Sequence, residues 1–142
     1  LPRQTLGKYQ TFPKYSLLLE IALYEKDPTE VLRLYQLQKT SAEKTTLGYR
    51  LSEDLLDRIA LALQSAHPDI AVSIWNGMAL HHIAMTKPSE YDYAVLFLKK
   101  SKRLLLSLKR DNEWRGFYTT LLEQEKRKRR FIQSAHDELG TP

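Results

Sequence analysis

The residues most able to bind a ligand in this sequence are lysines and arginines concentrated in its last third. Residues 123–130 read Glu-Gln-Glu-Lys-Arg-Lys-Arg-Arg, and further cations stand within residues 99–103. Ammonium and guanidinium groups attract phosphates and other anions strongly, and salt weakens that attraction. The pattern indicates a candidate patch for an anionic partner, made of Lys99, Lys100, Lys102, Arg103, Lys126, Arg127, Lys128, Arg129 and Arg130.

The same basic run also has a purely structural interpretation. In a continuous helix, Glu123 and Glu125 stand four residues before Arg127 and Arg129, which is the spacing of ion pairs on a solvated helix. If the cations instead serve recognition, their partner is either a nucleic acid or an acidic protein surface. The residues alone leave these alternatives open.

The polar residues that could catalyse a reaction or bind a metal are scattered. The four histidines lie at residues 67, 81, 82 and 136, so none stands three or four positions from another on a helix. Glu53 and Asp57 share a helical face without a nucleophile or base beside them, and no glycine-rich phosphate loop occurs. We therefore predict no enzyme, no metal site and no cofactor, and we expect His82 to be a hydrogen-bonded interior residue.

The elements that must position these side chains are predicted to be helices. From Tyr15 to Leu121 the apolar residues recur every third or fourth position, which is the spacing of one helix face. Prolines and capping residues such as Asp27 and Ser52 interrupt the pattern. The sequence predicts an all-α fold of about six helices in antiparallel pairs, stacked in a right-handed, tetratricopeptide-like repeat. The pairs are expected over residues 14–38, 52–86 and 88–139.

The first and last helices carry apolar residues whose partners the sequence does not identify. In the first helix the apolar face is wide, which predicts a mostly buried element, because it includes Leu17, Ile21 and Tyr24. After the basic run the apolar pattern resumes at Phe131, Ile132, Ala135 and Leu139. This stripe predicts either docking back onto the bundle, against the first helix, or helix-to-helix dimerisation with a second copy.

Composition indicates a folded cytoplasmic protein. The 142 residues are 42% hydrophobic and 27% charged, a balance that supports a buried core. The chain has no Cys, which fits a reducing compartment, and its apolar runs are far shorter than a membrane span. The net charge of +5 is concentrated in residues 99–130, where basic residues outnumber acidic ones by 12 to 4.

We expect one helical-repeat domain over residues 1–142. Residues 1–13 are interpreted as a leader, and residues 40–51, which are polar and contain Gly48, as a candidate internal loop. The chain begins with Leu1 rather than Met, so we expect it to be a fragment of a longer protein.

Three stretches of this chain are similar to a known family. They cover residues 14–37 (KYSLLLEIALYEKDPTEVLRLYQL), 67–105 and 114–132. They resemble the helical C-terminal region of bacterial SWIM zinc-finger proteins. The resemblance implies a helical-repeat appendage that presents a groove to a partner. Because the chain has no Cys, the zinc finger itself is not implied.

Taken together, these patterns predict a non-catalytic scaffold for an unidentified protein partner. The alternative is a module that binds nucleic acid without sequence preference through the basic fifth and sixth helices. That alternative predicts a steep loss of affinity as the salt concentration rises.

Overall fold

The computed structural model describes residues 14–44 and 51–142, and all the secondary structure in these residues is helical. The predicted all-α class is therefore confirmed for the part of the chain that is described. The helices are α1 (Lys14–Tyr24), α2 (Pro28–Lys44), α3 (Glu53–Leu63), α4 (Pro68–Ala84), α5 (Pro88–Ser107), α6 (Asp111–Gln124) and α7 (Arg129–Leu139). None of them is long and apolar enough to cross a lipid bilayer.

Two predicted segments lie wholly or partly outside the residues that the structure describes. The predicted leader, residues 1–13, and residues 45–50 of the predicted loop lie outside the described residues. Residues 40–44 of that loop belong to α2 instead, so the helix continues past the predicted end of the first pair at residue 38.

The structure divides the last predicted helix in two. α6 ends at Gln124, residues 125–127 form a turn, and α7 begins at Arg129. The described residues thus contain seven helices where the sequence predicted about six. Residues 123–130 offer no apolar side chain for a neighbouring helix to cover, so tertiary packing does not extend α6 through them.

Short reversals join α1 to α2, α4 to α5 and α5 to α6. Each places one non-glycine residue in the left-handed region: Lys26 (φ 54°), Thr86 (φ 56°) and Lys109 (φ 59°). After α5, the Arg110 N–H donates to the Leu105 carbonyl at 2.8 Å, which closes the helix end. Proline then begins α2 and α5, where its missing N–H costs nothing.

Contacts divide the chain into two compact units, one through His67 and the other from Pro68 onward. In the first unit α1 packs on α2, and α3 packs on both. Ser52 caps α3 as predicted, because its Oγ accepts a hydrogen bond from the Leu55 N–H at 3.2 Å. The apolar residues buried in this unit include Leu19, Ala22, Val31, Leu34, Leu55, Ile59 and Leu63.

The prediction that α1 is mostly buried is wrong. Leu19 and Ala22 are buried, but Leu17, Ile21 and Tyr24 are 60%, 47% and 88% exposed. α1 carries apolar residues on all sides, so its sequence does not specify which side meets α2 and α3.

In the second unit α4 and α5 form an antiparallel hairpin. Midway along it Ser101 Oγ donates to Asn76 Oδ1 at 2.6 Å, and near the turn His82 meets Glu90. This is the most extensive helix contact in the chain's described part. The predicted pairing within residues 52–86 differs, since it joined α4 to the preceding helix. α4 is apolar around its circumference and includes Trp75, so its pattern suits several neighbours.

α7 folds back along α5 and runs parallel to it. The Phe131 ring meets the Tyr91 ring edge-on, with centroids 5.8 Å apart, and eight positions further along α5 Lys99 pairs with Glu138. The expected return to the bundle occurs, but the partner is α5 rather than the first helix. Phe131, Ala135 and Leu139 are buried within their own chain, and Ile132 is half-buried. Dimerisation through this stripe stays a prediction.

Candidate functional site

Two lysines of the predicted cationic patch bind the carbonyl ends of helices. Lys102 Nζ donates to the Leu139 carbonyl at 2.8 Å, at the last residue of α7. Lys128 Nζ donates to the Ile83 carbonyl at 3.2 Å, in the last turn of α4. Carbonyl groups at a helix C-terminus lack intrahelical partners and carry partial negative charge, so both ammonium groups stabilise the fold.

Three lysines of the patch also form ion pairs. Lys99 pairs with Glu138 at 2.6 Å, Lys126 with Glu123 at 2.8 Å and Lys128 with Glu125 at 2.7 Å. The sequence predicted pairs at four-residue spacing, between the same two glutamates and Arg127 and Arg129. Those pairs are not formed because the helix ends at Gln124. In the turn that follows, each glutamate instead meets the lysine three residues after it.

The arginines of the patch behave differently. Arg103, Arg127, Arg129 and Arg130 are exposed, and none makes an ion pair or side-chain hydrogen bond within the described ranges. Lys100 lies over the Phe97 ring, with its Nζ 5.7 Å from the centroid. Within the described residues, these guanidinium groups are therefore the exposed cations of the predicted patch that form no ion pair, whereas Lys126, also exposed, is paired.

The nine predicted cations do not form one cluster. Because α5 and α7 are parallel, residues 99–103 lie toward the C-terminal end of α7, whereas residues 126–130 lie at its N-terminal end. α7 has 11 residues and is thus about 16 Å long. The predicted patch is divided between the two ends of this helix.

His82 is buried and hydrogen-bonded, as predicted. Its Nδ1 lies 2.5 Å from Glu90 Oε2, and its ring stacks on those of Tyr93 and Phe97 at centroid distances of 5.3 and 5.9 Å. The exposed His81 ring meets it edge-on at 5.9 Å. All these groups belong to α4 and α5, so the cluster holds the end of one helix to the start of the next.

A second charged cluster surrounds Arg110, which hydrogen-bonds Glu113 and reaches Asp69 Oδ1 at 2.5 Å. The hydrogen bond from the Arg110 guanidinium to Glu113 lowers the pKa of the Glu113 carboxyl. The cluster joins the first turns of α4 and α6 and has a structural role. Within residues 14–44 and 51–142, no three His, Asp or Glu side chains are arranged to hold a metal ion.

An open groove of about 290 Å³ lies between α5 and α7. From α5 it is lined at positions that share one helix face, and from α7 at the facing positions. The lining residues are Asp92, Val95, Leu96, Lys99, Ser134, Asp137 and Glu138. Sequence reasoning missed this groove, although Asp92, Leu96 and Lys99 stand at the four- and three-residue spacing of one helix face.

The groove combines an apolar floor with charged edges. Val95 is buried, and Leu96 is 47% exposed. Lys99 spans the groove to Glu138, and Asp137 accepts a hydrogen bond from Gln133 Nε2 at 2.9 Å. Carboxylates therefore outnumber ammonium groups in the lining, in contrast to the positive charge of the whole chain.

Comparisons of the chain with models of protein families, with curated proteins and with solved structures gave no match. The geometry of the second unit thus carries the functional interpretation.

Proposed function

We propose that this chain is a non-catalytic protein-interaction scaffold, built as a right-handed, tetratricopeptide-like stack of helical hairpins. One recurrent connection supports the repeat architecture. Both α1–α2 and α4–α5 are joined through a residue of positive φ, Lys26 or Thr86, that is followed two positions later by the proline that begins the next helix. Stacked hairpins of similar form bury a continuous core and present extended surfaces to partners.

The observation that carries the function is the groove between α5 and α7. Exposed Leu96 lies there beside charged side chains from both helices. An apolar centre with a polar rim is the usual arrangement of a protein interface. The volume of about 290 Å³ is at the lower limit of small-molecule pockets, so the groove suits side chains of a partner better than a cofactor.

Site-specific crosslinking tests this function. A photoreactive residue would replace Leu96 in the natural, full-length protein inside cells. The same residue in place of Thr119, which is exposed on α6, is the matched control. We expect one reproducible protein adduct from position 96 that is absent from position 119. Equal adducts at the two positions, or none at position 96, would contradict the scaffold.

The resemblance to the SWIM zinc-finger proteins adds context to the proposal. Under it, the chain is the helical appendage of a longer, cytoplasmic bacterial protein, and its partner docks on the helical stack. Fractionation of cells that produce the natural protein tests the location, with the protein expected in the cytoplasmic fraction.

Nucleic-acid binding is the second candidate function, and the exposed arginines favour it. Arg127, Arg129 and Arg130 lie together at the start of α7, where no carboxylate occurs in the first turn. If these three side chains contact phosphates, the logarithm of the affinity for duplex DNA falls with the logarithm of salt with a slope of about −3. The variant Arg130→Gln should reduce this slope by about one. Lys126→Gln is the control, because its ammonium already pairs with Glu123.

A further inference from the structure

We infer that the groove between α5 and α7 binds a basic amphipathic helix of a partner protein. The inference rests on the proposed scaffold function and names the chemistry of the partner. It follows from the shape of the groove, the balance of its charges and the apolar surface left on its floor.

The shape of the groove suits a helix. Its α5 lining extends from Asp92 to Lys99, which is about two helical turns or 10 Å. Two adjacent helices leave a furrow between them, and a third helix can lie in such a furrow with side chains at positions i, i+3 or i+4, and i+7 pointing inward. Ser134 contributes a small side chain on the α7 side, which leaves room for larger ones from a partner.

The charges of the groove select a cationic partner. Asp92, Asp137 and Glu138 line it together with a single cation, Lys99. Asp92 makes no ion pair among the residues that the structure describes, and the Asp137 carboxylate is hydrogen-bonded only by the neutral Gln133 amide there. The Lys99 ammonium, 2.6 Å from Glu138, shows that a lysine side chain fits against this rim. A partner lysine or arginine can bind the remaining carboxylates in the same way.

The floor of the groove adds an apolar requirement. Leu96 exposes 47% of its surface, and Val95 lies beside it. A partner that carried only charge would leave this surface in water, whereas a leucine or similar side chain would cover it. The partner chemistry is therefore basic residues next to large apolar residues on one helix face.

Fluorescence anisotropy with designed peptides tests this inference on the full chain. The probe is a labelled helical peptide of about 15 residues, with leucines on one face and lysines on the rest. One comparison peptide replaces the leucines by serine, and another replaces the lysines by glutamate. We expect the probe to bind, and both comparison peptides to bind at least about tenfold more weakly.

Charge variants of the protein then locate the binding site. Asp92→Asn and Asp137→Asn should each weaken binding of the probe about two- to fivefold. Lys99→Gln should strengthen it by a similar factor, because the competing ammonium at Glu138 is removed. The controls carry the same charge changes on the Glu123–Lys126 pair, outside the groove: Glu123→Gln and Lys126→Gln should leave the affinity nearly unchanged. Circular dichroism of each variant confirms that the helices are retained.

Several results would overturn the inference. Equal effects of groove and control variants would mean that the peptide responds to net charge alone. Dimerisation of the protein that is lost in Asp92→Asn would identify a second copy as the occupant. An adduct from position 96 without any peptide binding would remove the basic partner and leave the scaffold function in place, whereas absence of both would remove the scaffold as well.

Discussion

The two ends of α7 differ in how their electrostatics are balanced. At the C-terminal end, Lys102 binds the Leu139 carbonyl, Lys99 pairs with Glu138, and Tyr118 Oη donates to the Gly140 carbonyl at 2.7 Å. At the N-terminal end, exposed arginines stand where the helix dipole is already positive. One end of the helix is stabilised by its charges, and the other is destabilised by them.

This difference teaches that a run of cations in the sequence contains groups with separate roles. The lysines reach backward or across to helix ends and carboxylates, which an ammonium on a flexible stem does well. The exposed arginines of the patch make no such contact within the described residues. Residues that weaken a helix end while meeting no partner of their own suit recognition better than structure.

The largest expected effect comes from removing the apolar anchor near the start of α7. Phe131 is fully buried and meets Tyr91. Phe131→Ala should lower the free energy of unfolding by about 3–5 kcal/mol, through lost burial and the cavity left behind. Urea titration followed by circular dichroism measures it. Ile132→Ala, at a half-buried neighbour, is the control and should cost much less. Equal losses would mean that the N-terminal end of α7 is not anchored by this ring.

At the C-terminal end of α7, Tyr118 should make the protein less stable at high pH. Burial raises the pKa of Tyr118 to about 12, above the ordinary value near 10. Its contribution is complete below pH 10 and is lost as the pH rises through 12, because the unfolded chain ionises first. The stability of the natural protein should therefore fall, relative to Tyr118→Phe, by about 2 kcal/mol by pH 12. Lysines titrate in both proteins, so the difference isolates the phenol, and parallel pH curves would show that it does not ionise late.

The fold was predictable where local patterns decide it. Helical spacing predicted the helices, and the caps at Asp27 and Ser52 are formed: Asp27 Oδ1 accepts from the Glu30 N–H at 3.2 Å. Glu30 stands three residues after Asp27, the spacing at which its carboxylate could accept from the Asp27 N–H in return, but it pairs with Arg33 instead. Ser89 and Asp92 stand at the three-residue spacing of a reciprocal cap, which predicts Ser89 as the cap of α5, but Lys87 occupies that position and makes no side-chain capping bond.

The candidate site was not predictable because it depends on contacts between distant residues. Lys99 and Glu138 are 39 positions apart, and Lys128 and Ile83 are 45 apart. Which cations form contacts within the chain depends on how α7 packs. α1 and α4 are apolar on all sides, so their sequences do not indicate which helices they pack against. The groove exists only because α5 and α7 lie side by side.

An intermediate effect would separate the structural lysines from the exposed arginines. Lys102→Met keeps the apolar stem but removes the bond to the Leu139 carbonyl, and should cost about 1–2 kcal/mol of stability. Arg103→Met, at the next position, should stay within about 0.5 kcal/mol of the natural protein. Thermal unfolding of both variants measures the difference. If the arginine variant lost as much, the division of the cations into two roles would be wrong.

The smallest predicted effect has the opposite sign. Arg130→Glu places a carboxylate in the first turn of α7, where it suits the positive end of the helix, and should stabilise the protein by about 0.3–1 kcal/mol at low salt. Arg103→Glu makes the same charge change near the C-terminal end of α5 and should not stabilise. The gain should fade as salt screens the exposed charges. If Arg130→Glu stabilises the protein and also weakens its binding to DNA, the natural protein retains Arg130 for a partner. If it stabilises the protein without changing DNA binding, the charge at the N-terminal end of α7 has no functional explanation.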